Sequence, residues 1–215
     1  MKTITLLVAC LVLLAPAVTA QIALDDLMAR DGLLHEAGAT QAFTGAVETP
    51  GRLSGQVEQG LRHGTWTWYF PSGDRDYEIV YLDGKQSRRK GWHDGGSVKN
   101  RVDFMDGKPH GVAEVWDRNG ILRNRVSYAL GFRDGEDRLY DHTGALLLSV
   151  EYAQNVKHGA AVWWYADGTV RWRTAFESGQ RTGTWAQYGT DGSLSMESTW
   201  EEGRLVSRNN PHAGH

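Results

Sequence analysis

The chain of 215 residues carries 23 Lys and Arg against 26 Asp and Glu, a net charge of −3, which argues against nucleic acid as a partner because phosphate recognition draws on a basic surface. Its one cysteine, Cys10, lies within the first twenty residues, so a chain trimmed after Ala20 has no disulfide, thiol nucleophile or thiolate metal site. Nine Trp, eight Tyr and five Phe are then left to build a core, and about 195 residues suffice for one.

Residues 1–20 read as a secretory signal peptide. Lys2 gives a short basic start, an apolar run extends from Ile4 to Val18, and Val18-Thr19-Ala20 is a small-residue cleavage site before Gln21. The expected location is therefore periplasmic or secreted. Cys10, in "LVAC", has the form of a lipoprotein box, but lipidation there would strand "LVLLAPAVTA" at the mature N-terminus, and simple cleavage is the preferred reading. Residues 21–43, with "LDDLMARDGLLHEAGATQAF", are expected to form an N-terminal cap, the segment to which any helix is confined.

From residue 44 to 207 the chain repeats itself, and self-similarity decides architecture before any single residue does. Gly111, Gly135, Gly159 and Gly183 recur every 24 residues, and Gly64 opens an earlier unit. Nine residues into each unit stands a turn glycine, giving the column Gly73, Gly96, Gly120, Gly144, Gly168 and Gly192. Four residues before it is a ring (Tyr69, Trp92, Trp116, Tyr140, Trp164, Tyr188), and eight after it another (Tyr81, Phe104, Tyr128, Tyr152, Phe176, Trp200). A third column holds Gly84, Gly107, Gly131, Gly179 and Gly203 with Asn155, the non-glycine residue most at ease in a left-handed conformation.

Between turns the period is two. Leu146, Leu148, Val150 and Tyr152 alternate with solvated positions, as a strand buried on one side requires. "RNG", "ADG" and "TDG" supply one tight turn, "LDGK" and "MDGK" the other. The fold expected is all-β, an elongated antiparallel β-meander of tandem hairpins about 24 residues long. Seven units are counted, the first compressed around Gly45, Val57 and Gly60, and residues 208–215 are expected to be a flexible tail.

The repeat resembles the MORN (membrane occupation and recognition nexus) group, more closely its bacterial variant in the YwqK-family toxin–antitoxin system antitoxins. "DGLLHEAGATQAFTGAV", "DGKPHG" at 106–111 and "QNVKHG" at 154–159 carry the likeness, with the ring and glycine columns between them. It implies a β-hairpin repeat scaffold that binds another protein, antitoxin-like or immunity-like. Antitoxins act in the cytoplasm, whereas this N-terminus reads as one that leaves it.

Chemistry is sparse. His63, His110 and His158 share one repeat position and cannot converge on a metal, and Asp25-Asp26 and Glu201-Glu202 are sequence neighbours rather than groups facing each other. No nucleophile has an evident base and no phosphate loop occurs, so no catalytic residue, metal or cofactor is expected. The twelve column rings are read as structural, stacked cross-strand. Rings outside the columns, Trp66, Trp68, Trp163, Trp172 and Trp185, are read as an exposed face for a partner, with Trp163 on the solvated side of its strand and Trp164 in the core. The function expected is a non-catalytic scaffold binding another protein. The alternative is a cell-envelope module binding a glycan or a lipid head group, since other wall-bound repeats also alternate Trp, Tyr and Gly in hairpins.

Overall fold

The computed structural model describes residues 21–211; the expected signal peptide lies outside them. Sixteen strands form one sheet and two more a separate hairpin. In chain order they are β1 (Gln21–Ile22), β2 (Leu27–Arg30), β3 (Leu33–Glu36), β4 (Gly45–Thr49), β5 (Leu53–Glu58), β6 (Leu61–Tyr69), β7 (Arg75–Leu82), β8 (Lys85–Trp92) and β9 (Val98–Met105). They continue as β10 (Lys108–Trp116), β11 (Leu122–Ala129), β12 (Phe132–Tyr140), β13 (Leu146–Ala153), β14 (Val156–Trp164), β15 (Val170–Glu177), β16 (Gln180–Tyr188), β17 (Leu194–Glu201) and β18 (Arg204–Asn209).

From β4 to β18 each strand pairs antiparallel with the next, a continuous meander with no crossover. Sixteen strands at roughly 4.8 Å spacing extend on the order of 70 Å. The edge at β4 is closed by the short parallel strand β1. Arg208 and Asn209, read from the sequence as the start of a tail, instead pair with Ser198 and Glu197 and lengthen the sheet.

Two turns alternate. In the first, Asp117 accepts from the amides of Asn119 (2.9 Å) and Ile121 (3.0 Å), and Asp141 does the same for Thr143 and Ala145. Gly120 follows at φ +79°, a conformation a side chain would strain. In the second turn both central residues have positive φ, as in Asp83-Gly84 and Gln154-Asn155, the turn whose twist matches a hairpin's. Five second turns also reach across the sheet: the amides of Gly84, Gly131, Asn155, Gly179 and Gly203 donate to the carbonyls of Arg62, Pro109, Arg133, Lys157 and Arg181. The units are thereby tied turn to strand as well as strand to strand.

The one helical turn among the described residues lies in the cap. Residues 21–43 hold that 3-10 turn (Leu24–Asp26) together with β1 and the β2–β3 hairpin. "RDGL" is a hairpin turn, with Asp31 and Gly32 both at positive φ. Ile22, Leu24, Leu27 and Leu34 pack on Phe43, Val47, Leu53, Val57 and Trp66, the most continuous core in the chain. We call the sheet face they cover the capped face and its reverse the outer face.

Candidate binding face

Strand registers assign each side chain to a face, because directly opposed residues in a ladder share one. One row across the capped face starts at Val47 opposite Gly55, and passes Trp66 opposite Ile79 and Ile79 opposite Arg89. It then runs through Val126, Asp137, Val150 and Ala161 to Thr174. Beside it runs a second row, Asn124, Leu139, Leu148, Trp163, Trp172, Gln187 and Met196.

All five tryptophans expected on a solvated face therefore lie on the capped, apolar one. Trp66 is 0% exposed and is core, its Nε1 donating to the Gln56 carbonyl (2.9 Å). Trp68 packs against that same cluster and stacks on Tyr77, centroids 4.5 Å apart and planes 12° apart. Trp66 is thereby closed to any partner, while Trp68 stays partly exposed and lines a depression with Arg52, Leu53 and Tyr77. Trp163, Trp172 and Trp185 sit eight to ten strands away, beyond the cap's reach, and surround a cleft of about 330 Å³ floored by Thr174. Trp172 meets Trp185 edge to face at 6.1 Å, and Trp185 meets Trp200 at 5.9 Å. The indole Nε1 of Trp185 is buried without a hydrogen-bond partner.

The expected faces of Trp163 and Trp164, though not the binding role read for Trp163, are thus exchanged. They do point to opposite sides, but Trp163 is the one opposite Leu148 and Trp172 on the apolar face. A register shift at the first turn, between Trp163 and Trp164, breaks the alternation that places the two ring columns together. The first column lies on the outer face: Tyr69 shares a hydrogen bond with Ser54 (3.3 Å), Trp92 lies under the charged groups of Arg75 and Lys90, and Trp116 lines a shallow depression with Lys90 and Arg101. Trp92 is 4% exposed, while Tyr69, Trp116, Tyr140, Trp164 and Tyr188 are half-buried. The second column lies on the capped face.

One column escaped the sequence reading: the residue two before each opening glycine, Arg62, Arg133, Lys157 and Arg181, with Pro109 as the exception. Each of the four cations rests over a ring of the following strand. Arg62 covers Tyr81 at 5.6 Å, Arg133 covers Tyr152 at 5.5 Å, Lys157 covers Phe176 at 5.1 Å and Arg181 covers Trp200 at 4.7 Å. Arg181 also lies 4.1 Å from the Trp185 ring. The 24-residue recurrence was the signal that could have found it.

The histidines behave as turn residues. His110 and His158 accept at Nδ1 from the amides of Leu130 and Ser178 in the next turn, and His63 lies 3.6 Å from Glu58. Among the described residues no group of three His, Cys, Asp or Glu could hold a metal, and no helix is long and apolar enough to cross a membrane.

Two neighbouring acids titrate in opposite directions. Glu136, on the outer face, is held below the usual carboxylate range by the hydrogen bond from Arg138 (2.6 Å) and by Ser149 Oγ (2.7 Å). Asp137, on the capped face, is pushed up by burial, against the pull of Arg133 at 3.3 Å, and its Oδ1 has no hydrogen-bond partner.

Residues 62–83 match the family model described as MORN repeat variant, so the chain carries a MORN-type repeat. That segment spans β6, β7 and the turn between them. No curated protein matches the chain. Among solved structures, one described as the crystal structure of a GtfA/B complex bound to UDP and GlcNAc shares 14% identity at a TM-score of 0.23. The match covers 50% of this chain and 21% of that one.

Proposed function

We propose that the protein is a non-catalytic, secreted or periplasmic repeat scaffold that binds another protein through the uncapped part of its capped face, in the manner of a YwqK-family antitoxin or an immunity protein. One observation carries the reading. The face that the cap covers over β4–β6 continues over β12–β17, where none of the described cap residues reaches it, and there it offers Leu139 (42% exposed), Trp163, Trp172 and Trp185. A large apolar patch flanked by charge marks an interface, and Trp is enriched among residues that dominate binding energy. The leader-like residues 1–20 support an envelope location.

A second reading rests on the cleft itself. Three indoles around about 330 Å³ suit the apolar face of a sugar ring or a lipid head group. One experiment separates the two. The mature chain and its Trp172→Ala variant are immobilised and offered envelope extract, then isolated cell-wall sacculi and vesicles. A protein retained by the wild type and lost from the variant supports the scaffold; retention of sacculi or vesicles alone, lost in the same variant, replaces it with the second reading.

A further inference from the structure

The two faces of the sheet handle charge differently. On the outer face cations and acids neutralise one another, across strands in Arg88 with Asp103 (2.7 Å), Arg101 with Glu114 (2.7 Å) and Arg125 with Glu114 (3.8 Å), and along β12 in Arg138 with Glu136 (2.6 Å). The registers put Arg62, Arg89, Arg133, Lys157, Arg181 and Arg208 on the capped face, where Asp137 is the only acidic strand residue they assign. A chain with net charge −3 therefore gathers cations, with almost no acids among them, on the face that also holds the Trp163–Trp172–Trp185 cleft. Among the described residues Lys157 and Arg181 form no ion pair; their charged groups rest on rings.

From this charge segregation we infer that the occupant of the capped face is an acidic, amphipathic segment of another protein, its carboxylates set against Arg133, Lys157 and Arg181 and its apolar side against Leu148, Trp163 and Trp172. This rests on the scaffold reading and names the chemistry of its partner. The three cations stand on β12, β14 and β16, every second strand, and so about 9.6 Å apart. Acids one heptad apart on a helix repeat every ~10.5 Å. The cation row and the apolar row face Tyr152 and Leu148 of β13, four residues and so roughly 13 Å apart, comparable to the ~10 Å width of a helix.

The rings decide against a sugar in the cation row. The faces of Tyr152, Phe176 and Trp200 are already covered by the cations and cannot stack on a pyranose. Those contacts instead pre-order long side chains, which lowers the entropy cost of meeting a carboxylate. The turn amides that bond the carbonyls of Arg133, Lys157 and Arg181 fix the same residues from the backbone.

The test measures fluorescence anisotropy of the full mature chain with a synthetic amphipathic helix of about three heptads, Glu along one side and Leu along the other, beside its Lys-for-Glu counterpart. Binding of the Glu peptide alone is expected, weakened about tenfold or more by Lys157→Gln with Arg181→Gln and weakened again by salt. If the double variant fails to fold, Lys157→Gln alone is read the same way. Equal binding of both peptides, or no effect of either variant, overturns the proposal. So does binding of dextran sulfate or anionic vesicles without the Glu peptide. A protein captured from envelope extract that needs Trp172 but ignores salt and the Lys157 and Arg181 variants leaves the scaffold reading standing and removes this one.

Discussion

Gly55 lies flat beneath the indole of Trp66. A β-carbon at position 55 would overlap Cδ2 of that ring and stand 2.5 Å from Cε2, and Trp66 is wholly buried under the cap with no room to retreat. Gly55 has ordinary backbone geometry for a strand, so close approach alone requires glycine here. Gly55→Ala should cost about 1–3 kcal/mol, as overpacking of a filled core does. Urea denaturation of the purified variant reads it directly.

Trp66 and Trp163 occupy the same face at opposite ends of the sheet. Trp66→Ala empties a closed core and should cost roughly 3–5 kcal/mol. Trp163 is half-buried at the cleft, so Trp163→Ala should cost clearly less. Thermal melts of the two variants compare them; equal losses would mean that a second layer covers the cleft in solution.

Gly120 stands at φ +79° with no atom within 4 Å of where a β-carbon would go, and Gly144 at +89° meets only Ile121 Cγ2 at 3.5 Å. Space is available, so the penalty comes from the backbone. Gly120→Val and Gly144→Val should each destabilise by about 1 kcal/mol or more. Variants that melt with the wild type would show that these turns tolerate a β-branched residue.

The architecture was legible because glycine and ring columns repeat without a gap, and repetition reports the hairpin whatever the surroundings. Faces were less legible. Strict alternation carried past the turn puts Tyr140 and Tyr152 together, but the register shift between Leu139 and Tyr140 sends them to opposite sides. A bulge of that kind adds a residue without changing composition, so the pattern of residue types gave no sign of it. The make-up of the cap lay outside the repeat columns: in "ARDGLL" the Asp-Gly pair closes a hairpin, a signal that no column repeats. Burial of Trp66 was out of reach because the residues that cover it come from a segment outside the repeat.

Glu136 and Asp137 make stability respond to acid in opposite senses. The folded-state value of Glu136 lies below its unfolded value, so its contribution is complete above the ordinary glutamate range, near pH 4.3, and is lost as pH falls further. Asp137 is raised, so its charged form is the destabilised one at neutral pH, and that cost is relieved as the group protonates. Glu136→Gln should flatten the acid limb of the stability curve, and Asp137→Asn should steepen it. Denaturant midpoints measured from about pH 3 to pH 7 give both slopes; the same change in both variants would contradict the assignment.

Whether the uncapped stretch of the capped face receives a protein is read by hydroxyl-radical footprinting of residues 21–215, with and without a protein that this chain captures. Protection of Trp163, Trp172 and Trp185 is expected, with no change at Trp66, which is closed already, and continued reactivity at Trp116 and Trp164 on the outer face. Protection confined to Trp116 and Trp164, with Trp172 left open, would place the partner on the other side of the sheet and overturn the proposed binding face.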